Sequence, residues 1–249
     1  MTKVMITTGH HGWYPSRATK TEIVDVASGE NCAVLADFPL KINGAVGANL
    51  HGTPVVCGGY SFKKMRSSRE CYKFKNGTWT KFATMKDKRH LAAGVMFKNK
   101  LHIFGGYHYN NDSIQQTSEI ITINGKVEYG PDLPTGVGFH TITAINATVS
   151  ILAGGETYSN DSSPLTWYFN HETEAFSPGP SLLRGRSEHG SATISDKKTK
   201  VKIPVVTGGY DYYSNDVLSS TELLINGQWQ SGTIRCKKKL IFSSHSVWN

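Results

Sequence analysis

Short apolar runs punctuate an otherwise polar chain, and five of them end at glycine. Val55–Tyr60 reads VVCGGY, His102–Tyr107 reads HIFGGY, Ile151–Glu156 reads ILAGGE, and Val205–Tyr210 reads VVTGGY. Met5–His10, MITTGH, is a decayed copy with Thr8 in place of the first glycine. The second glycines, Gly9, Gly59, Gly106, Gly155 and Gly209, follow one another at 50, 47, 49 and 54 residues. Self-similarity at such a period marks an array of like structural units.

Other features keep the same phase. A second apolar segment follows each glycine pair by about a dozen residues: TEIVDV (21–26), RECYKF (69–74), SEIITI (118–123), LTWYF (165–169) and TELLI (221–225). Four of these carry glutamate at the second position, Glu22, Glu70, Glu119 and Glu222. Asn76-Gly77, Asn124-Gly125 and Asn226-Gly227 come next. Asn-Gly is a strong hairpin signal, because both residues tolerate the positive φ of a type I′ turn. A short segment with Trp79, Phe176 or Trp229 follows, and then a loop leading to His90, His140 or His189 and a further apolar strand. Each period thus predicts four short antiparallel strands, with no helical periodicity. One such unit cannot bury both faces alone, whereas units packed face to face around an axis can. Gly58, Gly105, Gly154 and Gly208 with their partners then allow a sharp strand exit where neighbouring units crowd.

This arrangement resembles the kelch repeat: an apolar strand ending Gly-Gly, a Glu-containing strand, a Trp, then R-x-x-H before the next strand. The resemblance runs from about Lys3 to Trp229 and implies an all-β, kelch-type β-propeller. Five periods, beginning near 3, 53, 100, 149 and 203, predict about five four-stranded blades over residues 1–232, as a closed small ring or an incomplete propeller. The first unit reads Asn43-Gly44-Ala45 at its histidine position, and Leu165–Phe169 lacks the glutamate. Residues 233–249 diverge. Ser244–Trp248 falls where a leading strand should begin, so the tail is expected to complete the first unit.

Composition narrows the function classes. The 249 residues are 38% hydrophobic and 18% charged, in the globular range. No apolar run approaches the ~20 residues of a membrane-spanning helix, so no membrane partner is expected. The net charge of +8 comes from short separate clusters with no nucleic-acid-reading motif, which predicts a solvated surface and no nucleic-acid partner. Cys32, Cys57, Cys71 and Cys236 have no metal-ligand spacing. Cys57 reads as a small core residue, and a Cys32–Cys71 disulfide is conceivable between neighbouring units. With no signal peptide the cytoplasm is slightly favoured. Four N-x-S/T sites, at Asn76, Asn111, Asn146 and Asn160, leave an extracellular setting open.

No nucleophile elbow, phosphate-cradling loop or zinc motif is present, and His10-His11 lacks a third ligand in phase. We therefore expect no enzyme, no metal and no cofactor, and read the phased Trp, Gly and His residues as repeat packing. Binding function collects in variable loops on a rigid scaffold. Here these loops are rich in tyrosine: Trp13–Arg17, Tyr60–Arg69, Tyr107–Asn111, Tyr158–Asn160 and Tyr210–Tyr213. They suggest Arg69, Tyr109 and Tyr212 as contact residues. In kelch-type ubiquitin-ligase adaptors the residue after Gly-Gly and the R-x-x-H loop line the substrate pocket. That resemblance implies Tyr60, Tyr107, Glu156, Tyr210, Arg89 and Arg186 as partner-binding, and a protein partner in a ubiquitin-ligase or cytoskeletal context. A ligase adaptor would need an oligomerising domain supplied elsewhere. A carbohydrate-binding or carbohydrate-processing propeller is the alternative, since aromatic loops serve sugars equally well.

Overall fold

The computed structural model describes residues 3–7, 19–25, 28, 30–109, 113–158, 161–195 and 201–232, with the side chains of residues 3, 4, 6, 31, 32 and 34 left aside. Gly9, His10-His11, the 13–17 loop, Asn111, Asn160 and the tail from 233 lie outside the described residues.

The fold is all-β and propeller-like, with no α-helix among the described residues. Its sheets are antiparallel, and spatial order follows chain order in each. The first holds Lys3–Thr7, Thr21–Asp25 and Asn31–Leu35. The second holds Ile42–Leu50, Thr53–Ser61, Glu70–Lys75 and Thr78–Thr84, with Arg66–Ser67 paired back onto Thr53–Ser61. Ala93–Phe97, Lys100–Phe104, Ser118–Ile121 and Val127–Tyr129 form the third. The fourth comprises Thr141–Ala144, Val149–Ala153, Thr166–Asn170 and Ala175–Pro178. The fifth comprises Gly190–Ser195, Lys202–Thr207, Thr221–Ile225 and Gln228–Ser231.

Two of the three Asn-Gly turns behave as expected. Asn76 and Gly77, and Asn226 and Gly227, all have positive φ, closing two-residue hairpins. The third differs: Asn124 is not left-handed, and Thr122 N–H donates to the Lys126 carbonyl across a longer loop.

A separate apolar core fills each of the four junctions between successive sheets. Phe38, Ile42, Val56 and Trp79 close the first junction; Val46, Leu50, Val55, Leu101, Ile103 and Ile121 close the second. Phe104, Val137, Leu152 and Phe169 close the third, and Ile151, Leu182, Val206 and Trp229 the fourth. Trp79 also reaches back one sheet, its Nε1–H donating to Thr21 Oγ1 at 3.1 Å.

The glycine pairs serve two different contacts. A Cβ on Gly105 would stand 2.3 Å from the Val137 carbonyl of the following sheet, and one on Gly106 would stand 2.8 Å from the His90 carbonyl of its own. Both have positive φ, so only glycine meets the two constraints together. The gap admits a hydrogen bond between sheets, Gly106 N–H to Val137 O at 2.9 Å, repeated from Gly59 to Arg89 and from Gly155 to Arg186.

A second ladder joins the leading strands. Leu91 N–H donates to Gly44 O at 2.7 Å, Phe139 N–H to Leu91 O at 2.9 Å, and Glu188 N–H to Phe139 O at 3.0 Å. All four residues are left-handed, with φ between 51° and 62°. Three non-glycine residues hold this costly conformation because each closes a bond to the sheet before it.

Three sequence expectations require correction. Cys71 is bonded to Cys57, its cross-strand partner inside the second sheet, so it is not available to Cys32. His90 is out of phase with His140 and His189. Strand pairing places Ala92 at their position, Ala93 opposite Phe104 as Thr141 is opposite Ala153 and Gly190 opposite Thr207. Glu70 is likewise displaced, because Tyr72, opposite Val56, corresponds to Glu119 opposite Ile103 and Glu222 opposite Val206.

Candidate protein-interaction face

The residues behind the glycine pairs share one structural position. Tyr60 pairs with Asn43 inside its sheet, while Tyr107 with His90, Glu156 with Gly138 and Tyr210 with Ser187 form isolated bridges beyond theirs. All four are half-buried. Tyr109, Tyr158, Tyr212 and Tyr213 stand exposed on these loops.

Two buried serines lock the loops of the next sheet. Ser67 Oγ donates to Tyr107 O at 3.3 Å and accepts from Tyr109 N–H at 3.0 Å. Ser162 repeats the arrangement with Tyr210 O at 2.9 Å and Tyr212 N–H at 3.1 Å. A cluster of rings gathers over Ser67: Tyr60 lies 5.0 Å from Tyr109 and 5.5 Å from His90, and His90 lies 5.4 Å from Tyr107. His90 Nδ1 is 2.9 Å from Ser67 Oγ. Burial, with the nearby His108 charge, lowers the His90 pKa to about 4, so this ring is neutral at physiological pH. Over Ser162, Tyr210 and Tyr212 meet edge to face at 4.6 Å.

Glu156 lies within the second cluster. Burial and the Glu188 carboxylate raise its pKa to about 7 against the opposing hydrogen bonds of Ser187 and Tyr212. The Tyr212 hydroxyl is pushed up to about 12 by burial and by the Glu156 and Glu188 charges. Among the described residues no group of His, Cys, Asp and Glu is placed to hold a metal.

Six of the nine contact residues expected from the sequence therefore sit on these loops: Tyr60, Tyr107, Tyr109, Glu156, Tyr210 and Tyr212; a seventh, Arg69, is exposed just before the strand Glu70–Lys75. Arg89 and Arg186 are not. They are 1% and 0% exposed, sealed between sheets. Arg89 donates to Gly105 O at 2.6 Å, Thr117 O at 3.0 Å and Glu119 Oε1 at 3.0 Å. Arg186 donates to Gly208 O at 2.7 Å and Glu222 Oε1 at 2.5 Å. These arginines hold the seams and cannot touch a partner. Sequence reasoning does not single out Ser67 and Ser162, although both follow a glycine pair at nearly the same distance along the chain.

No protein-family model matches the chain, and no curated protein does. Among solved structures, that of YjhT aligns with 90% of this chain and 80% of its own, with a TM-score of 0.77 at 12% identity. The two folds are alike. At that identity the likeness to YjhT speaks to the fold alone.

Proposed function

We propose that the chain is a kelch-type β-propeller of about five blades, over residues 1–232, and that it recognises a partner protein without catalysing a reaction. The tyrosine-bearing loops form the contact face. The observation that supports this reading most is the repeated serine clasp, which fixes exposed aromatic loops to the neighbouring sheet through Ser67 and Ser162. Tyrosine brings a large amphipathic surface at low entropic cost, and a loop already held loses little freedom on binding. By resemblance, the setting is that of a ligase adaptor or a cytoskeletal linker.

The test is capture of partners by the full chain in parallel with a glycan array, using Tyr109→Ala/Tyr212→Ala as the control. Protein partners lost from the variant would support the reading. Sugar ligands that depend on the same tyrosines would replace it with carbohydrate binding.

A further inference from the structure

Beside the Tyr60 cluster opens a cavity of about 430 Å³ whose wall includes Lys64, Arg66, Arg69, Lys81 and Lys88 against one carboxylate, Glu70. Glu70 is already engaged. It accepts from the Tyr72 hydroxyl at 2.9 Å and from Lys81 Nζ at 3.3 Å. Burial works to raise its pKa, but Tyr72, Lys81 and Lys64 outweigh this and hold it below the usual carboxylate range. Lys81 is thus matched, and Lys64, Arg66, Arg69 and Lys88 face the cavity with no ion pair among the described residues. Ser61, Ser67 and Ser68 line the same wall, and Ser67 is also the residue that clasps the aromatic cluster, so cavity and cluster share one side chain.

In this concavity five cations stand against one carboxylate and repel each other, a cost that an arriving anion relieves. The mix of groups favours one kind of anion. A carboxylate is served by a single guanidinium fork, whereas a phosphate dianion offers three strong acceptor oxygens to several donors. The volume lies within the range of formed ligand sites and admits a phosphorylated side chain with part of its backbone.

We propose that this cavity receives a phosphorylated side chain of the partner protein. This rests on the recognition reading above and specifies its partner. The experiment uses the full chain and fluorescent degenerate peptides centred on phosphoserine, phosphothreonine or phosphotyrosine, each with an unphosphorylated twin and a glutamate twin. At least one phosphopeptide set should bind roughly tenfold more tightly than both twins, as expected for a site with several charge-assisted donors. Arg66→Gln/Arg69→Gln, and independently Lys64→Gln, should remove that advantage while the melting temperature stays unchanged. Equal binding of the unphosphorylated twin, equal binding of the glutamate twin, or an advantage that survives the charge variants would overturn the proposal. So would binding to phosphoinositide vesicles with no phosphopeptide preference. A captured partner that still binds after phosphatase treatment but is lost with Tyr109→Ala/Tyr212→Ala would sink the phosphate site and leave protein recognition standing.

Discussion

Where the third sheet meets the second, and the fifth meets the fourth, an arginine and a glutamate are buried against each other: Arg89 with Glu119 at 3.0 Å, Arg186 with Glu222 at 2.5 Å. Where the fourth meets the third, Val137 and Trp167 occupy the same two places. Val137 O accepts from Gly106 as Arg89 O does from Gly59, and Trp167 lies opposite Leu152 as Glu119 lies opposite Ile103. Both members differ there: two apolar groups inside one core stand where the other seams hold two charges. This is what the energetics of buried charge require. An ion pair sealed from water roughly balances its own desolvation cost, so an apolar pair can replace it, but neither half can be replaced alone. The ionic seams gain fixed geometry instead: each guanidinium ties down two carbonyls, and each glutamate accepts backbone N–H from the incoming loop, Lys86 and Asp87 at Glu119 and Leu183 at Glu222.

The hardest blow to that comparison is a half-broken pair. Arg186→Ala should cost about 3–5 kcal/mol by stranding Glu222. Val137→Arg should cost a similar amount, because Trp167 offers no carboxylate; chemical denaturation of both variants measures this. A tolerated Arg186→Ala would mean that the pair does not hold the seam.

Acid should act next, through the histidines at the same junctions. His140 and His189 are buried, and burial lowers each pKa to about 3; Arg186 and His140 add to the effect at His189. A group whose folded pKa is depressed resists protonation, so the stability it protects is present above the ordinary value near 6.5 and lost as pH falls toward 3. Glu156 opposes this. Its pKa of about 7 lies above the ordinary 4.5, so its contribution is full below 4.5 and declines as pH rises through 7. The melting temperature should therefore fall on acidification from about pH 6.5 to about pH 4, and Glu156→Gln should raise it at about pH 8. His140→Ala/His189→Ala should flatten the acid slope, with His90, His102 and His171 keeping part of it.

A transplant sharpens the comparison with a smaller expected change. Arg186→Val/Glu222→Trp, which installs the fourth-sheet pair in the fifth, should recover most of the Arg186→Ala loss and end within about 1.5 kcal/mol of the parent. A double mutant no better than the single would show that the bonds to Gly208 and Ser220 carry the seam. Smallest of all, Tyr109→Ala and Tyr212→Ala should each cost about 1 kcal/mol or less, since each ring is partly exposed and gives up one edge-to-face contact, with Tyr60 or with Tyr210.

Periodicity is what makes the sheets legible in the chain itself. The alternation of apolar runs with Asn-Gly turns and glycine pairs is written locally, because strand, hairpin and left-handed exit each depend on a few adjacent residues. Five periods therefore predict five successive sheets, and the tyrosine loops point to one end of the molecule. Register is less legible. His90 looks equivalent to His140 and Glu70 to Glu119, yet each is displaced along its strand. A slip of two residues returns each side chain to the same face, so the apolar alternation survives while the residue set against the next sheet changes. Tertiary structure alone decided what lies between sheets. Arg89 and Arg186 sit on loops like exposed binding arginines, and only the approach of the following sheet, bringing Glu119 or Glu222 into reach, turns them inward. The same holds for Cys71, whose partner is a neighbour across strands, and for Ser67, whose hydroxyl acts on the backbone of a loop forty residues away. Local sequence sets the conformation of each strand, but the burial of a charge is settled by a partner from another part of the chain.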